Sequence, residues 1–439
     1  MENTRHHTIK LLFQTPVIVA ALGYFVDIYD LLLFGIVRKP SLQAIGYQGQ
    51  DVLDKGILLI NIQMIGLLIG GILWGIIGDK KGRLSVLFGS ILLYSAANLL
   101  NGFVTDINQY AVLRFVAGVG LAGELGAGIT LVAEILPKKI RGFGTTLIAA
   151  VGLLGAVFAY FVASYTNWHA AYVIGGSLGL CLLLLRIKVS ESAIYKNTGK
   201  HPKIVRGDFL SLFTNAKRFL KYIRCIVIGL PVWFVIGILI TFSPEIAAIL
   251  GISGVDAGKS IMFCYIGLSI GDLSSGLISQ WLQSRKKAVA IFMILSGISM
   301  FAYLSLVSTL TGFYAACLFV GFSVGYWAMF VTIAAEQFGT ELRSTVATTV
   351  PNFVRGAVVV LTLLFRYIAA DTNMLFSAWI VGFATLTAAV LALWKMDETF
   401  HKDLDFLEVD HEHNKQKHTA ASFSAPVNTY KPYRKKEKI

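Results

Sequence analysis

The chain is poor in charge. Asp, Glu, Lys and Arg make up 14% of its 439 residues, against 56% hydrophobic residues, and the mean hydropathy is +0.69. Soluble domains carry roughly 25% charged residues, so an ordinary water-soluble globule is excluded. Cysteine is scarce too. Cys181, Cys225, Cys264 and Cys317 all fall in or at the edge of apolar runs, which argues for packing roles and against a disulfide framework. The apolar runs do not alternate with polar residues, so a β-barrel does not fit. There is no nucleophile–base set, metal-ligand spacing or nucleotide loop, so neither an enzyme nor a cofactor is expected. His411, His413 and His418 lie in a polar tail and read as solvated.

What the chain does have is a series of apolar runs of membrane-spanning length. They predict an all-α membrane protein with helices near 15–37, 56–78, 84–104, 108–132, 142–166, 169–187, 223–250, 258–282, 287–308, 311–334, 344–368 and 374–394. The first run follows Arg5, His6, His7 and Lys10, as a signal peptide would. It is too long for one and carries Asp27 and Asp30, so it reads as an uncleaved helix.

Lys and Arg number 38 against 25 acids, an excess that could point to nucleic acid. Placement argues otherwise. With the N-terminus inside, the outer loops hold only Arg38, Lys39, Lys55, Lys259 and Arg366, while Arg114 and Arg355 fall within helices. The other basic residues then share the inner side, as the positive-inside bias requires. Both termini are expected in the cytoplasm of a bacterial-type inner membrane. The lipid bilayer is a partner, nucleic acid is not, and a monomer is expected.

The chain also repeats itself. Gly66-Leu-Leu-Ile-Gly70-Gly71 is echoed by Gly267-Leu-Ser-Ile-Gly271-Asp272, and Glu134…Pro137…Arg141-Gly142 by Glu336…Gly339…Arg343-Ser344. Glu191-Ser192 is echoed by Glu398-Thr399. Four regions follow: a six-helix half over 1–187, a cytoplasmic linker over 188–222, a second six-helix half over 223–398, and a polar tail over 399–439.

Between the second and third runs lies the turn Gly78-Asp79-Lys80-Lys81-Gly82-Arg83. Glycines permit the tight turn, and the basic residues stay beside the headgroups. This loop resembles that of the major facilitator superfamily. In the second half it is reduced, with Gln280 in place of Asp79 and Ser284-Arg285-Lys286-Lys287 lacking the glycine, so unequal gates are expected. Arg114…Gly118-Val-Gly120…Gly123-Glu124 and Asp27-Ile-Tyr29-Asp30 resemble the metabolite–proton and sialate–proton symporter branches, and more distantly sugar porters. The resemblance implies two pseudo-symmetric halves that rock about a midplane site. The amides that sugar porters carry in helix seven are missing from Pro231–Gly237, which disfavours a hexose.

Charges at mid-helix are costly and need partners or a wet cavity. Asp27 and Asp30 share one face of helix one. The resemblance places helices one and four at the cavity, so Asp30 with Arg114 would form a proton switch, with Asp27 and Glu124 as further proton-coupling candidates. A permanent ion pair is the other reading. Arg355, four residues after the helix-kinking Pro351, joins Asn352 as an anion cradle, since guanidinium matches carboxylate. Its alternative is a permanent pair with Asp272. Tyr29, Gln63, Trp233, Tyr326, Trp327 and Asp272 complete the substrate-binding candidates. Gating falls to Gly78, Asp79, Lys80, Gly82, Arg83, Glu134, Arg141, Glu191, Glu336 and Arg343, with Asp79 expected to face the start of helix eleven near Ser344. The expectation is proton-coupled uptake of a small organic anion, with a carboxylate favoured. Proton-driven export of a drug or siderophore-like compound and a transport-inactive membrane sensor are the rivals.

Overall fold

The computed structural model describes residues 13–137, 140–186, 208–339 and 342–402. Among them, 12 helical spans are long and apolar enough to cross a membrane. They are α1 (Thr15–Ala44), α2 (Gln50–Lys81), α3 (Arg83–Asn101), α4a (Ile107–Leu121) continued as α4b (Glu124–Ile135), α5 (Arg141–Tyr165) and α6 (Trp168–Arg186). The second six are α7 (Ala216–Phe234, extended by a π-helical turn Val235–Ile240), α8 (Ala257–Leu282), α9 (Arg285–Ser305), α10a (Leu310–Ser323) continued as α10b (Trp327–Gln337), α11 (Arg343–Asp371) and α12 (Met374–Trp394).

Local chemistry sets many of the starts. Side-chain oxygens cap the first free amides, as Asp106 does for Asn108 N at 2.7 Å, Asp256 for Lys259 N at 2.8 Å and Asn373 for Phe376 N at 2.8 Å. Several helices overrun their apolar cores, because the backbone ladder continues into water where hydropathy no longer registers it. α1 reaches Ala44, α2 begins at Gln50, and α7 begins at Ala216 behind an Asn215 cap. Residues 216–222, expected in the linker, are therefore the first turns of α7. The linker residues 187–207, with Glu191, and the tail from 403 onward lie outside the described residues.

Spans four and ten are each broken, where unbroken helices were expected. The breaks lie at Ala122–Gly123 and Val324–Tyr326. They occupy matching places in the two halves, since Glu134 and Glu336 end α4b and α10b in the same way. A broken membrane helix frees backbone groups that must find partners inside the protein.

The halves meet chiefly along α2 with α11 and along α5 with α8. At Gly75 the approach is so close that a Cβ would sit 3.1 Å from the Cα of Thr345. The two seams are unequal. On the face carrying Phe13, Asp79 and Arg285, called the basic face below, α2 and α11 are locked together. On the same face α5, α8 and α10b leave a crevice of about 290 Å³, lined by Phe143, Thr146, Leu277, Gln280 and Met329 among others. Gln280 stands where the other half has Asp79. The opposite face, with Ala44 and Asp54, is called distal.

Candidate functional site

Arg355 is the centre of the interior. It lies in α11 one turn past Pro351, and it is 1% exposed. Its guanidinium carbon sits 5.7 Å from the ring centre of Trp233 and 5.6 Å from that of Trp327. Nη1 donates to Asn352 Oδ1 at 3.4 Å, while Nε and Nη2 have no hydrogen-bond acceptor among the described residues. The nearest acid is Asp27 on α1, whose Oδ2 is 3.9 Å from Nη2. That is ion-pair distance and too long for a hydrogen bond. Both Asp27 oxygens are buried without a hydrogen-bond partner among the described residues. A buried cation and anion this loosely joined, from opposite halves, make an arrangement that an anion with better geometry can interrupt.

The freed backbone groups of the two helix breaks hold this centre in place. Asn352 Nδ2 donates to the Ala122 carbonyl at the α4 break at 2.7 Å, and to Thr348 O at 2.7 Å. Asp272 Oδ1 accepts the Ala328 N–H just past the α10 break at 3.1 Å. Asp272 is thus a cap for α10b, and the expected alternative of a permanent Arg355–Asp272 pair is corrected: the acid beside Arg355 is Asp27. Trp327, first residue of α10b, donates from Nε1 to the Tyr24 hydroxyl at 3.0 Å. Tyr24 is missed by the sequence reading, because a tyrosine in an apolar run carries no positional signal.

Other candidates belong to a network inside the first half. Arg114 does not pair with Asp30. It donates to Gln63 Oε1 and lies over Phe34 at 5.0 Å, so the amide and the ring take the place of the acid. Gln63 is therefore bound to Arg114 rather than placed at Arg355. Asp30 is fully buried against Gly175 of α6, inside the first half. Glu124 meets Arg186 of α6, which also donates to the Leu87 carbonyl at 2.6 Å. Arg186 escaped the sequence reading because, at the end of an apolar run, it resembles a loop charge. The Tyr29 hydroxyl is taken by Ala171 O at 2.8 Å and that of Tyr326 by Ile228 O at 3.1 Å. Both hydroxyl protons are thus spent on backbone carbonyls.

Caps and ion pairs join helices on both faces. On the basic face Asp79 caps α11 from the other half: it accepts from Ser344 N at 3.3 Å, Thr345 N at 2.8 Å and Thr345 Oγ1 at 2.6 Å. Arg83 supports it, reaching Glu134 at 2.8 Å and the Gly78 carbonyl at 3.0 Å. Gly82 makes the turn between them at φ 98°, which favours glycine, and Lys80 stays exposed. The second half repeats the support without the cap, since Arg285 reaches Glu336 at 3.4 Å. Arg343 is buried at the start of α11. The Arg141 side chain lies outside the described residues. On the distal face Arg38 of α1 pairs with Glu245 beyond α7 at 2.9 Å, and Arg366 of α11 with Asp54 of α2 at 2.7 Å. Charge alone did not single out these distal pairs, as each residue falls near a helix end.

The Major Facilitator Superfamily profile matches residues 20–362. The putative niacin/nicotinamide transporter NiaP of Bacillus subtilis is 25% identical over 408 residues, covering 88% of this chain and 96% of that protein. The benzoate transport protein of Acinetobacter baylyi is 30% identical over 200 residues, 43% of this chain and 42% of that protein. The solved structure of the proton:xylose symporter XylE bound to 6-bromo-6-deoxy-D-glucose superposes with a TM-score of 0.71 at 17% identity, covering 92% of this chain and 99% of that one. With its twelve spans, matched helix breaks and loop at Gly78–Arg83, the chain belongs to the major facilitator superfamily and is a multi-pass membrane transporter, not an enzyme.

Proposed function

We propose that the protein takes up a small aromatic monocarboxylate together with a proton. The observation that carries this reading is Arg355: a buried guanidinium with two nitrogens free of acceptors, set between two indole rings. A carboxylate fits the free guanidinium edge in a fork, and an attached ring fits beside the indoles. The named substrates of relatives, niacin or nicotinamide in one case and benzoate in another, are of this size and shape.

Coupling follows from competition for Arg355. A substrate carboxylate that takes the guanidinium separates it from Asp27. A carboxyl left buried without its cation holds a proton rather than a charge. Substrate anion and proton then load together, and the net charge of the site is unchanged. With the basic face cytoplasmic, loading occurs with the distal pairs Arg38–Glu245 and Arg366–Asp54 open. Release needs the Asp79 cap on α11 to break. Where protons are scarce, Asp27 ionises, regains Arg355 and expels the carboxylate. Asp27 replaces Asp30 as the first coupling candidate because it alone of the two faces the other half.

The test is binding. Truncating one member of a buried charged pair costs about 2–5 kcal/mol, so Arg355→Ala should weaken the affinity of purified protein for benzoate or nicotinate by roughly thirtyfold or more. Arg355→Lys should recover part of it, because lysine keeps the charge and loses the fork. Wild-type affinity in Arg355→Ala contradicts the assignment.

A further inference from the structure

The polar atoms around Arg355 can be followed one by one. Tyr24 is 1% exposed on α1. Its hydroxyl oxygen accepts the Trp327 Nε1–H at 3.0 Å. That fixes the oxygen as the acceptor of the pair, since an indole N–H only donates. The phenolic proton must then point elsewhere. Among the described residues the acids nearest to it do not receive it: neither Asp27 oxygen has a hydrogen-bond partner, and Asp272 is engaged by the Ala328 N–H. A second donor of the same cluster, Trp233 Nε1–H, is also buried without an acceptor. Buried donors are rarely left unpaired in a native protein.

We infer that the Tyr24 hydroxyl is a specificity-determining donor, selecting aromatic carboxylates that carry a hydrogen-bond acceptor in or on the ring over bare aromatic acids. This rests on the carboxylate reading of Arg355. The carboxylate occupies the guanidinium edge. The ring lies by Trp327, the residue that links Arg355 to Tyr24, so an acceptor on the ring edge away from the carboxylate meets the phenolic proton. The preference has a definite sign. A ring nitrogen buried without a donor loses its water and gains nothing, so a plain apolar slot favours the bare ring. A slot with a waiting donor favours the nitrogen and leaves that donor unpaired when the bare ring binds.

Nicotinate and benzoate differ by one ring atom, N for C–H, and serve as probes. Dissociation constants are measured by calorimetry on purified wild type and on Tyr24→Phe. The wild type should bind nicotinate about fivefold to tenfold tighter than benzoate. In Tyr24→Phe the ratio should fall to one or below. A wild-type ratio of one or less overturns the inference even if Tyr24→Phe is too unstable to measure, and so does a ratio that survives the substitution. In both of those outcomes the two acids still bind, and the carboxylate reading stands. If neither acid binds the wild type, the carboxylate reading fails and this inference falls with it.

Discussion

Arg355 and Asp27 each interrupt an apolar helix, and among the described residues each is incompletely hydrogen-bonded. A tight, fully bonded pair would hold one state. A pair at 3.9 Å with free donors and acceptors on both sides can be exchanged for a ligand. Glu124 and Arg186 are the contrast, since they are joined by two hydrogen bonds within one half. Removing one partner of such a pair costs about 3–5 kcal/mol, and replacing both costs far less. Arg186→Met should therefore lower the thermal midpoint markedly, and adding Glu124→Gln should restore most of it. If the single variants keep the wild-type midpoint and lose transport, the pair serves coupling and not structure. At this scale the sequence was legible where a charge interrupts an apolar run, because insertion cost leaves few reasons for it. That singled out Asp27, Asp30, Arg114, Glu124 and Arg355. It failed for Arg186 and Arg38, whose positions near helix ends match those of loop charges, and for Tyr24, whose hydrogen-bond partner lies 303 residues away.

At the scale of elements, helix ends do the joining. Asp79 acts as a cap for a helix it does not belong to, so its bonds form only when the basic face is closed. Asp79→Asn weakens that cap without touching Arg355. It should reduce the turnover of transport while ligand affinity stays within about twofold; equal losses of rate and affinity would count against a gating role. Glu398 caps in the same manner outside the membrane, tying the end of α12 to the start of α9. Partial burial pushes its carboxyl up, but the Ser284 hydroxyl and the N–H groups of Arg285, Phe400 and Thr399 outweigh this and hold it below the ordinary glutamate value. Its stabilisation is thus present above the ordinary carboxylate range and is lost as pH falls through the lowered value. Glu398→Gln should melt earlier than wild type at neutral pH, with the difference closing below about pH 4; a constant difference across that window contradicts the account. The spans were legible from hydropathy, but their breaks were not. A two- or three-residue interruption at Ala122–Gly123 or Val324–Tyr326 leaves the apolar run intact, so only the backbone reveals it.

For the whole molecule, two halves of similar plan close over one site, and the closure is asymmetric. The repeat seen in the sequence reappears as Arg83–Glu134 and Arg285–Glu336, while Asp79 has only Gln280 opposite. The two seams on the basic face differ accordingly, one capped and the other leaving a crevice. What the sequence left unread is which acid faces which arginine across the halves, because that pairing depends on helix rotation. The proposed coupling rests on Asp27 exchanging Arg355 for a proton. The most direct test is accumulation of labelled benzoate or nicotinate by proteoliposomes with an acid exterior, corrected for protein-free liposomes. Wild type should concentrate the acid until a protonophore is added, and Asp27→Asn should exchange it across the membrane without concentrating it. Accumulation by Asp27→Asn at the wild-type level, or mere equilibration by the wild type, would contradict it.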